Sequence, residues 1–275
     1  MAYGRSLCSA SPGPPPLTAF LDAALAAAIV EVREAKGSTP RETGAWMLVS
    51  PDAIFGTIGG GQLEFLAIAK ARELIAENVA SGALDIPLGP EIGQCCGGRV
   101  VLDIRIAGRE ERTELLKRAG DEDAGRPHVY LFGGGHVGHA LAAALALLPV
   151  RTFVVETRAE ALADMPEEVE KRLTAVPEET VREAPAGSAF VVLTHDHALD
   201  FLIVAEALAR EEAAYVGMIG SKTKKATFKS WYLKNGGEEA RLSRLVTPIG
   251  GGEVRDKRPA VIAAMAAAEV MRAFS

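Results

Sequence analysis

The apolar residues follow two different rhythms along the chain. Leu17 to Ala35 is alanine-rich, with Phe20, Leu21, Leu25, Ile29 and Val32 recurring, which predicts a helix running into a short strand over Ile29 to Glu34. Ala45 to Val49 reads as a strand and Gly56 to Gly61 (GTIGGG) as a glycine loop. Gln62 to Asn78 is a helix with Leu63, Leu66, Ala67, Ala71, Leu74 and Ile75 on one face, ended by Ser81-Gly82. Val100 to Ile106 alternates as a strand should. Residues 108–127 are charged and poor in large apolar side chains, with Leu115 and Leu116 enough for a helical turn or two, and read as an interdomain linker.

Beyond this stretch, short apolar runs alternate with longer helical patterns. Strands are predicted at His128 to Phe132, Thr152 to Glu156, Ala189 to Thr194 and Tyr215 to Ile219. Helices are predicted at His139 to Leu148, Asp200 to Arg210, Lys222 to Lys234 and Pro259 to Phe274. Strands fully apolar on both faces and separated by helices imply a parallel sheet covered on both sides. The expected fold class is α/β. A C-terminal Rossmann-like doubly wound sheet (128–275) follows a smaller α+β domain (17–107), and residues 1–16, rich in proline and small residues, form a disordered tail.

Composition narrows the function classes. The 275 residues are 48% hydrophobic and carry a net charge of −6, so nothing recruits nucleic acid or an anionic membrane. The longest apolar run, Ala140 to Val150, is too short to span a bilayer. SASPGPPP stands where a signal peptide needs an apolar stretch. Three cysteines exclude a disulfide framework, and none forms a Cys-x-x-Cys pair for structural zinc. A reducing, cytoplasmic location is expected.

The segment HVYLFGGGHVG contains G-x-G-x-x-G as Gly133, Gly135 and Gly138, between an apolar strand and an alanine-rich helix. Glu156 ends the next strand, near the spacing used for ribose recognition. Gly133 suits the tight turn, Gly135 admits backbone N–H groups to a phosphate, and Gly138 suits close helix packing. Gly134, His136 and Val137 complete the candidate loop. The loop is either a phosphate cradle or a packing device; His136 either meets the ligand or faces solvent.

Ligands of open α/β sheets bind outside the carboxyl ends of the strands. Three polar segments land there: Thr194 to Asp200 (THDHALD), Gly217 to Lys225 (GMIGSKTKK) and Thr247 to Gly252 (TPIGGG). His195 and Asp196 are candidates for ligand contact, the alternative being a helix N-cap by Asp196 or Asp200. A binuclear metal pattern built on His195 and His197 lacks its following histidine. Ser221, Lys222 and Lys224 combine a hydroxyl and ammonium groups at a helix start, suited to a phosphate or to plain solvation.

In the N-terminal half, Cys95 and Cys96 sit in GQCCGGR, where glycines leave thiols uncovered and Arg99 can bind an anion or lower a thiol pKa. Two small buried thiols are the alternative. Arg41 in GSTPRETG and the bare backbone around Gly60 either form an anion nest or are simply turns.

These segments, in order, resemble the XdhC/CoxI family of xanthine dehydrogenase accessory proteins, over about Leu17 to Phe274. The resemblance rests on Gly37 to Gly44, Gly56 to Glu64, GQCCGG, Leu131 to Gly138, Thr194 to Asp200, GMIGSK and TPIG. It implies a non-enzymatic chaperone that binds the molybdenum cofactor, a phosphate-bearing molybdopterin. Such a protein shields the cofactor during sulfuration by a cysteine desulfurase and hands it to a xanthine dehydrogenase-type apoenzyme. On this reading Cys95 or Cys96 is a molybdenum-proximal thiol. Two departures stand out: Glu156 where the family has aspartate, and Gly251-Gly252-Glu253 where it continues with leucine and an acid.

A homodimer is compatible with the helix and sheet-edge surfaces. The competing expectation is an NAD(P)-dependent oxidoreductase using the Gly133 to Gly138 loop, which leaves the cysteine pair without a role. A metal hydrolase through His195 and His197 is a further alternative.

Overall fold

The computed structural model describes residues 17–89, 97–251, 254 and 256–275. The tail 1–16 and the pair Cys95 and Cys96 lie outside the described residues. The chain divides into two compact units, Met1–Asp121 and Glu122–Ser275.

The first unit is built on an antiparallel sheet of order β3-β2-β1-β5-β4. Its strands are β1 (Ala28–Lys36), β2 (Trp46–Val49), β3 (Ile54–Gly56), β4 (Ser81–Pro87) and β5 (Arg99–Ile106). Helix α1 (Leu17–Ala23) precedes β1, and α2 (Gly61–Glu77) covers one face. The inward residues Val30, Val32, Met47, Leu102 and Ile104 meet Leu63, Ala67, Ala71 and Leu74 of α2. Helix α2 ends at Asn78, which adopts the left-handed conformation of a C-cap (φ 52°). Ser81-Gly82 therefore does not end the helix; it opens strand β4, paired with β5 from Ser81 opposite Arg105 to Pro87 opposite Arg99.

The stretch expected to be a linker is largely a helix, α3 (Arg109–Ala124), held on the first unit. Leu115 is buried beside Phe20, Leu21 and Ile29. The Arg112 guanidinium donates to the carbonyls of Leu21 (2.7 Å), Ala24 (2.8 Å) and Ala107 (3.1 Å), and Arg118 reaches Glu31 and the Gly44 carbonyl. Arginine anchors replace an apolar face, which is why periodicity did not reveal the helix.

The second unit is a six-stranded parallel sheet of order β11-β10-β9-β6-β7-β8. The strands are β6 (His128–Phe132), β7 (Arg151–Glu156), β8 (Glu170–Leu173), β9 (Ala189–Val192), β10 (Tyr215–Met218) and β11 (Leu245–Val246). Read from β6 as first strand, this is the 3-2-1-4-5-6 order of a Rossmann fold, with its switch point between β6 and β9. On one face lie α4 (His136–Leu145) and α8 (Pro259–Ala273), which meet through Ala142, Ala263 and Ala266. On the other lie α5 (Pro177–Glu183), α6 (His197–Ala209) and α7 (Lys222–Lys234). That face is aromatic: Tyr130 stacks on Phe153 at 4.6 Å between centroids, and Arg172 covers Phe153 at 4.4 Å. Each buried aromatic contributes about 1.5–3 kcal/mol by leaving water. Among the described residues no helix is long and apolar enough to cross a membrane.

Candidate functional site

The glycine loop leaves β6 at the switch point. Gly133 adopts φ +116°, and a Cβ there would lie 2.8 Å from the Leu193 backbone. A Cβ on Gly138 would lie 2.0 Å from the Gly133 carbonyl oxygen, so this glycine is demanded by packing. Gly135 is different. It is exposed, and nothing among the described residues lies within 4 Å of an added Cβ. Helix α4 begins inside the motif, at His136, so the first helical turn is presented at the loop. His136 is exposed and Val137 half-buried.

Glu156 does not present its carboxylate to a ribose. One oxygen accepts from Gly134 N–H at 2.9 Å and the other from Thr157 N–H at 2.8 Å, with Arg158 beside both. Burial acts to raise its pKa, but the Gly134 N–H, Arg158 and the Thr157 N–H outweigh it and hold the carboxyl below the usual range. The crevice between Gly133, Glu156, Thr157 and His195 retains a volume of only about 10 Å³, room for one water.

At the end of β9, Asp196 is the N-cap of α6, accepting from Ala198 N–H (2.8 Å) and Leu199 N–H (3.3 Å). The capping alternative therefore holds for Asp196, while His195 and His197 are exposed. Asp200 is fully buried and accepts from Thr194 N–H (3.1 Å) and the Thr194 hydroxyl (2.7 Å). Its other oxygen pairs with Lys224, whose ammonium also donates to the Ile219 carbonyl at 3.0 Å. Lys224 is thereby committed inside the protein and is not a phosphate ligand. Ser221 caps α7 by accepting from Lys224 N–H at 3.3 Å, and Lys222 is exposed at the first helical position. Among the described residues no group of three His, Cys, Asp or Glu side chains could hold a metal ion.

A further feature of this edge brings together segments that the sequence leaves separate. A cavity of about 560 Å³ opens at the ends of β10 and β11, between Ile219–Ser221, Pro248–Gly251 and the start of α8. Its walls include Ile249, Ile262 and Met265, with Ser221, Asp256 and Lys257 among its polar lining. The loop after β11 is pinned from behind: Glu269 accepts from Gly250 N–H (2.9 Å) and from the Tyr215 hydroxyl (2.8 Å). Burial and this carboxylate push the Tyr215 hydroxyl far above its ordinary range, so it stays a donor. The available signal was that GMIGSK and TPIGGG follow adjacent strands.

In the first unit, the glycine nest before α2 is filled by its own carboxylate. One oxygen of Glu64 accepts from the Thr57 hydroxyl (2.7 Å), Ile58 N–H (3.1 Å) and Gly60 N–H (3.0 Å). Arg41 is exposed, its Cγ beside Gly59. Gly60 is thus committed internally rather than to an external anion. Arg99 is paired with Asp85 across the sheet (2.7 Å). Gly97, directly after the cysteine pair, bridges to Ser38, and a Cβ on Gly98 would lie 2.3 Å from the Ser38 carbonyl oxygen. Two sequence-distant glycine motifs therefore meet in one place.

A doubly wound parallel sheet with a glycine loop at its switch point, preceded by an antiparallel unit, defines an α/β protein of the Rossmann class. The XdhC Rossmann domain matches residues 129–270, and the XdhC and CoxI family matches residues 20–85. The chain belongs to the XdhC and CoxI family. It is 25% identical over 257 residues to the uncharacterized protein YqeB of Escherichia coli K12, covering 89% of this chain and 43% of that protein. The chain thus spans less than half the length of that curated relative. A solved Bacillus halodurans structure, described as a xanthine dehydrogenase, shares the fold with a TM-score of 0.77, covering 94% of each chain at 16% identity.

Proposed function

We propose that this chain is an accessory protein of xanthine dehydrogenase-type enzymes, that its cargo is the molybdenum cofactor, and that it holds and hands over this cargo rather than turning over a substrate. The observation that carries the reading is the match of both units, in order, to the XdhC and CoxI family. The cavity at the ends of β10 and β11 supports it physically: its volume suits a small organic ligand, and its apolar walls shed water while a few polar groups orient what enters. An apoenzyme of the xanthine dehydrogenase type is the proposed recipient. A cysteine desulfurase as sulfur donor, a homodimeric state and a cytoplasmic location belong to the same proposal, as does a thiol role for Cys95 or Cys96.

The second reading, an NAD(P)-dependent oxidoreductase, is favoured by the glycine loop. The committed carboxylate of Glu156 weighs against it, because ribose recognition needs that group free. The test is anaerobic incubation of the purified chain with molybdenum cofactor, followed by filtration and assay of retained molybdenum and pterin. Near-stoichiometric retention is expected. Tight binding of NAD(H) with no molybdenum retained would replace the carrier by the oxidoreductase.

A further inference from the structure

A Rossmann sheet is two mononucleotide-binding halves, and a dinucleotide lies across both. Here the halves differ. In the β6–β7–β8 half, Glu156 is bonded to Gly134 N–H, and the crevice beneath the loop, between Gly133, Glu156 and His195, holds about 10 Å³. In the β9–β10–β11 half the cavity is about 560 Å³, within the range of small-molecule sites.

We propose that the cavity at the ends of β10 and β11 binds a single heterocycle carrying one phosphate, a pterin or a mononucleotide, and that the domain takes no dinucleotide. The pterin form rests on the cargo reading above; the site itself does not. Ile249, Ile262 and Met265 supply apolar walls for a flat ring, Met265 adapting its shape to it. Ser221 and Lys257 bring a hydroxyl and a positive charge to the polar lining for the phosphate. The nearby Asp256 carboxylate pairs with Arg258 at 2.8 Å, which offsets its repulsion of an anion. The wall is set before any ligand arrives. Gly250, at φ +80°, lies so close to α8 that a Cβ would be 3.1 Å from Met265, and Glu269 holds its N–H.

The experiment is titration calorimetry of the full chain with four probes: a pterin bearing one phosphate, GMP, NADH and inorganic phosphate. In parallel, hydroxyl-radical footprinting reads the oxidation of Met265, with Met271 on the same helix as internal control. One phosphorylated heterocycle should bind one-to-one, about tenfold or more tighter than NADH or phosphate alone. Bound probe should cut Met265 oxidation severalfold and leave Met271 unchanged. Met265→Trp should weaken binding of the phosphorylated heterocycle about tenfold by filling the cavity, and Lys257→Ala by a smaller factor. Thr157→Ala, in the closed half, should leave binding unchanged.

Footprinting on the wild type keeps the test decisive if Met265→Trp does not fold. NADH binding as tightly as the heterocycles, no probe binding, or a bound probe that leaves Met265 unprotected would each overturn the site. If molybdenum cofactor is retained yet Met265 stays unprotected, the cargo reading stands and this site falls. If GMP alone binds and protects Met265 and no molybdenum cofactor is retained, the site stands and the cargo reading falls.

Discussion

The two halves of the parallel sheet follow one plan and finish it differently. After β6 the glycine loop turns back on β7, and Glu156 takes the Gly134 N–H that a phosphate-bearing ligand would otherwise approach. After β10 and β11 the corresponding loops leave a cavity at the start of α8, and the carboxylate that fixes the second of them, Glu269, acts from behind the cavity. The first unit repeats the first solution, with Glu64 filling its own glycine nest. An acid near a glycine loop is therefore as ready to satisfy that loop as to recognise a ligand, because a buried N–H left without an acceptor costs about 1–3 kcal/mol.

The largest expected effect concerns what holds the open half. Asp200→Ala leaves the buried Lys224 ammonium uncompensated and should cost about 3–5 kcal/mol in urea denaturation. A cost below about 1 kcal/mol would mean that this pair does not organise the β9 and β10 ends. Next, the glycine loop separates packing from openness. Gly138→Ala drives a Cβ into the Gly133 carbonyl and should lose about 1–3 kcal/mol. Gly135→Ala meets no neighbour and should cost less, about 0.5–1 kcal/mol by the same assay, the loss of a glycine N-cap of α4. Equal effects at the two positions would deny that only one of them is a packing glycine.

A smaller effect, read through pH, probes the closed half. The Glu156 carboxyl is held below its reference value of 4.5 in the folded chain. Its charged form therefore favours folding at pH values above 4.5, and this contribution disappears as pH falls through the lower folded-state pKa. The stability advantage of wild type over Glu156→Gln should be present at neutral pH and narrow below pH 4.5. A difference unchanged across that window would show that the carboxylate does not clamp the loop.

Much of the architecture was legible because the apolar rhythm is strong where strands are buried on both faces. His128 to Phe132 and Lys222 to Lys234 were read with the bounds they have in the structure. Edge strands were lost: β4 (SGALDIP) carries glycine and proline, and β8 (EKRL) has almost no apolar pattern, since an edge needs little burial. Helix α3 was lost because arginine-to-carbonyl bonds dock it.

Of the site, the sequence by itself determined the family, the order of the units and the glycine motifs that mark the strand ends, because these are local patterns repeated in register with the chain. Only the tertiary structure decided which polar groups are committed. Glu156 to Gly134, Asp200 to Lys224 and Glu64 to its own turn are pairings made when loops meet, and residue type cannot distinguish a carboxylate that waits for a ligand from one already bonded. The cavity between Ile219–Ser221, Ile249 and Met265 has the same character: it is bounded by two regions distant in the chain, the loop after β10 and the residues from Pro248 to the start of α8, and exists only because adjacent strands bring them together.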